Sequence, residues 1–152
     1  MNTSSTDRIH KEITLRAPVS RVWRAISDHE EFGTWFQVKL EGPIRAGAEI
    51  RGPITHEGCD RMVLRAQVEK VEPERYLSLR WCPYAHDPDE DYSAHPTTLV
   101  EFTLEPAGDG TKLTITESGF DALPEDLRHE SFVRNEGGWT AQVENVRKHV
   151  DG

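Results

Sequence analysis

The chain opens with a polar stretch, after which hydrophobic and polar residues alternate until Pro18. The polar stretch predicts a flexible tail at residues 1–7, and the alternation predicts a half-buried strand over residues 8–16. Beyond Pro18 the apolar residues recur at helical spacing, which indicates an amphipathic helix. A short second helix is predicted at Asp28–Gly33, with Asp28 as its N-cap.

The hydrophobic period changes to two between residues 39 and 118, which is the repeat of β-strands. Turn residues divide this region into six predicted strands, the first near Gln37–Glu41, joined mostly by short connections, and short connections favour an antiparallel sheet. One predicted hairpin can be given a register. If Glu72 pairs with Arg75 across its turn, Val68 faces Leu79 and the apolar faces of the two strands coincide.

The C-terminal segment carries a single apolar stripe, which predicts a long helix after Leu123–Pro124. Gly137 and Gly138 lie inside it, and each costs a helix about 1 kcal/mol relative to alanine. The two glycines mark either a break in the helix or a place where another group approaches the helix closely. The resulting order, one strand, two helices, six strands and a helix, predicts an α+β fold with a curved antiparallel sheet of about seven strands wrapped around the last helix. We expect a single domain over residues 8–150.

Composition and charge restrict the partners. The 152 residues carry a net charge of −9, which disfavours nucleic acid and anionic membrane surfaces. No apolar run suits a membrane span or a secretory signal, so a cytoplasmic location is expected. Cys59 and Cys82 are then expected as free thiols. No nucleotide, dinucleotide or zinc motif is found, and no cofactor is predicted.

Five short segments carry a family resemblance: Ala17–Pro18, Val22–Trp23, Trp35–Phe36, Gly110–Phe120 and Glu136–Trp139. They resemble the SRPBCC (START-like) superfamily, and within it the branch named for the activator of the Hsp90 ATPase. The resemblance extends over residues 8–150. It implies a helix-grip fold with a deep cavity between the sheet and the C-terminal helix. Binding proteins, cyclases, hydrolases and chaperone cofactors share this fold, so the resemblance implies no fixed catalytic motif.

The candidate cavity residues are mostly aromatic and lie on inward positions of the predicted elements. They are Trp35, Phe36, Trp81, Phe102, Glu117, Phe120, Glu136, Trp139 and Val143. The alternative is that the aromatic rings simply fill the core. Glycine on the helix and Ala66 opposite Trp81 leave volume, so we predict a cavity of roughly 300 Å³ or more bounded by Trp81 and Trp139.

Two of these residues, Glu117 and Glu136, are also candidate catalytic carboxylates. Glu117 falls on the inward face of its strand, and Glu136 falls on the helix stripe that faces the sheet. Carboxylates on opposite walls of a cavity suit general acid–base chemistry. The alternative places Glu117 at a wet rim, with Glu136 capping a helix break or pairing with Arg134 or an arginine of the sheet.

The longest segment without periodicity is residues 83–96, which contains His86, His95 and several acidic residues. It lacks the spacing of an EF-hand, so no metal site is predicted there. A loop of this length is expected to act as a lid over the cavity mouth.

Together these features predict a protein that binds a small, largely apolar ligand, lipids included, in the cavity between sheet and helix. The runner-up is a cyclase- or hydrolase-type enzyme that uses Glu117 or Glu136 as a general base or acid. The third hypothesis is a chaperone-regulating interaction module, with a protein partner or a second copy of the chain bound through the sheet surface.

Overall fold

The computed structural model describes residues 6–59, 61–85 and 87–152. Residues 1–5, which make up most of the predicted flexible tail, lie outside the described residues, as do Asp60 and His86. The elements are β1 (Arg8–Leu15), α1 (Val19–Ser27), α2 (His29–Phe36), β2 (Glu49–Pro53), β3 (Val63–Glu72), β4 (Tyr76–Trp81), β5 (Thr98–Ala107), β6 (Gly110–Ser118) and α3 (Glu125–Asp151), with a 3-10 turn at Phe120–Ala122 before α3.

The strands form one antiparallel sheet in the order β1-β6-β5-β4-β3-β2. Together with the long C-terminal helix, the curved sheet confirms the predicted α+β, helix-grip architecture. The described part of the sheet has six strands rather than about seven. The segment predicted as a strand near residues 37–41 makes only two isolated bridges, at Val38 and Glu41. It begins at Gln37, whose left-handed backbone (φ 69°) caps α2 and interrupts an extended run.

The β3–β4 hairpin confirms part of the predicted register. Val68 pairs with Leu79 as expected, but Glu72 pairs with Tyr76 rather than with Arg75. A bulge between Val68 and Lys70 accounts for this one-residue shift, because it adds a residue to β3.

The helices cover the face of the sheet that carries the apolar residues, and the core lies between the two layers. Asp28 confirms its predicted role as N-cap of α2, where its carboxylate accepts from the amides of Glu30 and Glu31. At the other end of the chain, Asp151 accepts from the backbone amides of Arg16 and Ala17 at 2.8 and 2.9 Å. This contact fixes the end of α3 against the link between β1 and α1.

Helix α3 runs without a break through Gly137 and Gly138. A Cβ placed on either glycine would meet no atom within 4 Å, so both positions face open space. None of the helices in the described ranges is long and apolar enough to cross a bilayer.

Candidate functional site

Glu117 lies on β6 with its side chain pointing into the core, and none of the residue is exposed to solvent. Four side chains donate hydrogen bonds to its carboxylate. Oε1 accepts from the Trp139 indole at 2.8 Å and from the Asn135 amide at 3.0 Å. Oε2 accepts from the Trp81 indole at 2.8 Å, the Thr98 hydroxyl at 2.5 Å and the Asn135 amide at 3.1 Å. We call these five residues the Glu117 cluster.

Four elements of the fold build the Glu117 cluster. Trp81 ends β4 and pairs across the ladder with Thr98 at the start of β5, and Glu117 follows on the next strand, β6. Asn135 and Trp139 are four residues apart on α3, a spacing that places them on the same helix face. The cluster therefore joins the sheet to the helix through a buried carboxylate.

The donors around Glu117 are all neutral. No Lys, Arg or His among the described residues forms an ion pair with this carboxylate. An ionised carboxylate only accepts hydrogen bonds, and the two indole N–H groups and the Asn135 amide nitrogen, which can only donate, match that state, as does the Thr98 hydroxyl when it donates. Burial of an unpaired charge is costly unless hydrogen bonds replace the lost water, and here two indoles, a hydroxyl and an amide do so.

A pocket of about 130 Å³ lies beside the two indoles of the cluster, between α3 and the sheet. Most of its lining is apolar: Phe36, Ile54, Leu64, Trp81, Pro83, Ala85, Gly138 and Trp139. The remaining lining residues are Arg65, Cys82, Asn135 and Gln142. Because Gly138 has no side chain, α3 presents bare backbone to this pocket.

Three aromatic rings form one wall of the pocket. Trp81 and Trp139 lie nearly parallel, with ring centroids 5.9 Å apart and planes inclined by 16°. The Phe36 ring lies 6.0 Å from each of them. The two indoles are thus neighbours in one wall rather than opposite walls of a large cavity, and the pocket is smaller than the 300 Å³ that the sequence predicts. Its volume resembles that of an engineered cavity of about 150 Å³ that holds benzene.

Other predicted cavity residues lie in the core or behind the wall. The Trp35 indole donates to the Ala25 carbonyl oxygen at 2.8 Å, and Phe102 and Phe120 are fully buried in the core. Val143 packs against the same core at partial exposure. Of the nine predicted residues, Phe36, Trp81 and Trp139 line the pocket.

The structure does not bring the two candidate carboxylates together. Glu117 lies behind the indoles, whereas the half-exposed Glu136 forms an ion pair with Lys11 of β1 at 2.8 Å. That pairing resembles the alternative of a bridge to a basic residue of the sheet, with lysine in place of arginine. Glu117 is also not among the residues that line the pocket, and a general base must reach the proton that it removes.

Sequence reasoning missed Asn135 and Thr98 as site residues, whereas it marked Gly138 as a position that leaves space. Asn135 had a signal: it is a polar residue four positions before Trp139, on the stripe of α3 that faces the sheet. Thr98 had none, because its role depends on the pairing of β4 with β5, which brings it beside Trp81.

The described residues of the segment 83–96 do not fold over the pocket as a whole. Pro83 and Ala85 border the pocket, but Asp87, Pro88 and Glu90 are attached to Arg65 on β3. The Arg65 guanidinium donates to the carbonyl oxygens of Glu90 at 2.9 Å, Pro88 at 2.9 Å and Asp87 at 3.3 Å. Its neighbours on β3, Leu64 and Ala66, are buried in the core. Because side chains alternate along a strand, the Arg65 guanidinium leaves β3 on the face away from Leu64 and Ala66 and holds Asp87, Pro88 and Glu90 there, although the residue also borders the pocket.

The residues at the pocket do not favour a cysteine nucleophile or a metal site. Burial raises the pKa of the Cys82 thiol, which keeps it protonated at neutral pH and a poor nucleophile. Cys59 and Cys82 are both free, as predicted. Within the described ranges, no group of three or more His, Cys, Asp or Glu is arranged to hold a metal ion. His86, one of the residues considered in the acidic loop, lies outside those ranges.

The fold and sequence match a known family. The model of the activator of Hsp90 ATPase homolog 1-like proteins matches residues 16–151, and the chain belongs to this family. A comparison with the curated proteins finds no match.

Solved structures share the fold. Protein MLL2253 from Mesorhizobium loti is 25% identical with a TM-score of 0.73, and the alignment covers 95% of this chain and 96% of that one. DynU16, a protein of the dynemicin biosynthetic locus, is 24% identical with the same TM-score. That alignment covers 95% of this chain but 47% of DynU16, so the chain spans about half of that protein. The Aha1 dimer from Colwellia psychrerythraea is 16% identical with a TM-score of 0.69, over 94% of this chain and 95% of that one.

Proposed function

We propose that the protein binds a small, largely apolar molecule in the pocket beside Trp81 and Trp139. The observation that carries this proposal is the placement of Gly138 on α3, opposite the sheet, at the point where the helix borders the pocket. Selection for stability alone favours a side chain at this exposed helix position, because a glycine inside a helix costs about 1 kcal/mol and a Cβ there would meet no atom within 4 Å.

The dimensions of the pocket suggest how the ligand is held. A volume of about 130 Å³ accommodates about one aromatic ring, and the pocket is open on one side. The ring portion of the ligand packs against Phe36, Trp81 and Trp139, while the rest extends through the opening. The Glu117 cluster fixes both indoles, so the aromatic wall is preorganised and costs little ordering on binding.

Binding fits the geometry better than the two other hypotheses. Acid–base catalysis by Glu117 requires contact with a substrate, and the four donors enclose this carboxylate. An interaction module that docks through an apolar patch requires exposed apolar side chains. Val133 is the large hydrophobic residue that the described surface exposes, and it stands alone.

The experiment compares two glycine variants of α3. N-phenyl-1-naphthylamine, a neutral apolar fluorophore, is expected to bind the native protein about one to one and to quench tryptophan emission. Gly138→Leu fills the pocket and should abolish binding. Gly137→Leu is the matched control, because it makes the same change one residue away at a position outside the pocket lining. Unchanged binding in Gly138→Leu, or no binding by the native protein, contradicts the proposal.

A further inference from the structure

Deepening the proposed function, on which this inference rests, we propose that the pocket selects a ligand that carries a protonated amine next to its apolar body. The amine donates a hydrogen bond to the side-chain oxygen of Asn135, and the buried charge of Glu117 favours the positive charge.

The first step concerns the orientation of the Asn135 amide. Its Nδ2 group donates to both oxygens of Glu117, at 3.0 and 3.1 Å. The reverse orientation would place the amide oxygen against two carboxylate oxygens, so the hydrogen bonds assign the amide unambiguously. Because the nitrogen faces Glu117, Oδ1 faces away from it. No described residue donates a hydrogen bond to this oxygen, although Asn135 lines the pocket.

The second step concerns charge. The donors on Glu117 are neutral, so they stabilise its negative charge without cancelling it. An amine bonded to Oδ1 would stand roughly 7–8 Å from the carboxylate, given ordinary hydrogen-bond lengths on either side of the amide group. The carboxylate is fully buried, and charges separated by this distance in a partly buried site interact with little screening by salt.

The third step concerns the aromatic wall. Both indole N–H groups donate to Glu117, so the positive edges of these rings face the carboxylate and not the pocket. Indole and phenyl faces attract cations, tryptophan most strongly. An amine bound to Asn135 would therefore lie close to indole rings whose N–H groups are already bonded to Glu117 and whose faces attract a cation.

Arg65 is the cationic residue among the pocket's lining residues, and it would favour the opposite charge. Its guanidinium is committed to three carbonyl oxygens of the following loop and lies 5.8 Å from the Tyr92 ring centroid. That loop also carries Asp87, Asp89, Glu90 and Asp91. These acidic residues are opposed by Arg65, by its cross-strand partner Arg51 and by Arg61, which pairs with Asp89 at 3.5 Å. Because these charges offset one another, we expect the preference for a cation to remain.

The experiment uses three probes that share one ring system and differ in charge: 2-naphthylmethylamine, 2-naphthylmethanol and 2-naphthoate. Each is titrated into the wild-type protein at pH 7 while the tryptophan indole N–H signals are followed by NMR. We expect the amine to bind about tenfold or more tighter than the naphthoate, with the alcohol in between. The titrations are repeated in about 0.5 M NaCl, where general attraction to a chain of net charge −9 is screened. The preference for the amine should persist.

Each outcome separates this inference from the proposed function. If the alcohol binds but the amine gains nothing over it, or the naphthoate binds tightest, the charge preference is wrong and apolar binding stands. If the preference disappears in high salt, it reflects the surface charge, and the inference is again wrong. If none of the three probes binds, both proposals fail. Glu117→Gln, where it folds, should reduce the ratio of amine to alcohol affinity toward one; the wild-type series is decisive without it.

Discussion

The Trp139 indole on α3 donates a 2.8 Å hydrogen bond to Glu117, a fully buried carboxylate on β6. This contact connects the stability of the fold to the shape of the pocket, because the same indole forms part of the pocket wall. A hydrogen bond to a charged acceptor in the core is worth more than one between neutral groups.

Trp139→Phe should therefore destabilise the protein more than Trp35→Phe. Both changes remove an indole N–H and a similar volume from a buried site, but Trp35 donates to the neutral Ala25 carbonyl, also at 2.8 Å. We expect Trp139→Phe to lower the free energy of unfolding by about 1 kcal/mol more than its control. Urea denaturation measures both. Equal losses of stability in the two variants would show that the hydrogen bond to Glu117 is no stronger than the one to the neutral Ala25 carbonyl.

Glycine substitutions should change stability in opposite directions according to the space around them. Gly137→Ala and Gly138→Ala add a methyl group to open space in mid-helix, and each should stabilise the protein by about 1 kcal/mol. Gly33→Ala in α2 should destabilise it, because the new Cβ would collide with the Val38 carbonyl oxygen. Thermal unfolding of the three variants provides the comparison. Destabilisation by alanine at 137 or 138 would mean that the helix does not pass there as described.

Acid should weaken the contact between α3 and the first two helices through Glu31. Burial raises the pKa of Glu31, but hydrogen bonds from His149 and Arg21 and the charges of nearby arginines outweigh burial and lower the pKa to about 2. The folded-state pKa lies below 4.5, the ordinary value of a glutamate, so this carboxylate stabilises the fold above that pH. The stabilisation is lost as the pH falls toward 2.

The free energy of unfolding of wild type and Glu31→Gln, measured by urea titration between pH 7 and pH 2.5, tests this effect. The wild type should be more stable by roughly 1–3 kcal/mol near neutral pH, and the difference should shrink in acid. A difference that is constant over this range would rule out the titration of Glu31 as its source.

Glu136→Gln addresses the second candidate carboxylate. Its ion pair with Lys11 is partly exposed, and such pairs contribute about 0–1 kcal/mol. We expect a small loss of stability and no change in the affinity for N-phenyl-1-naphthylamine, because Glu136 is not among the pocket's lining residues. A clear loss of probe binding would show that Glu136 contributes to the binding site.

The hydrophobic pattern predicted most of the fold because strands and helices bury one face each. Counting by two from Leu113 placed Glu117 inward, and the apolar stripe placed Trp139 toward the sheet. The pattern does not distinguish an aromatic residue that fills the core from one that lines a pocket. Phe120 and Phe36 look alike in sequence, and only the packing places the first in the core and the second at the pocket.

The Glu117 cluster was beyond the reach of the sequence for a related reason. Periodicity assigns a face to each residue but does not show which residues of different elements meet. Thr98 reaches Glu117 because β5 lies between β4 and β6, and Asn135 does so because of the position of α3 along the sheet. The bulge in β3 is a further example, because the residues of the turn at Glu72 do not indicate that the pairing register shifts between Val68 and Lys70.

The most direct test of ligand binding is the ¹H–¹⁵N spectrum of the four tryptophan indoles during titration with N-phenyl-1-naphthylamine. The probe should shift the Trp81 and Trp139 signals, whose rings line the pocket, and leave the signal of the core residue Trp35 in place. Saturation at one probe per chain, together with loss of the shifts in Gly138→Leu and their retention in Gly137→Leu, is the predicted result. A spectrum in which the Trp81 and Trp139 signals do not move while the probe binds elsewhere, or in which no signal moves, would contradict the proposed function.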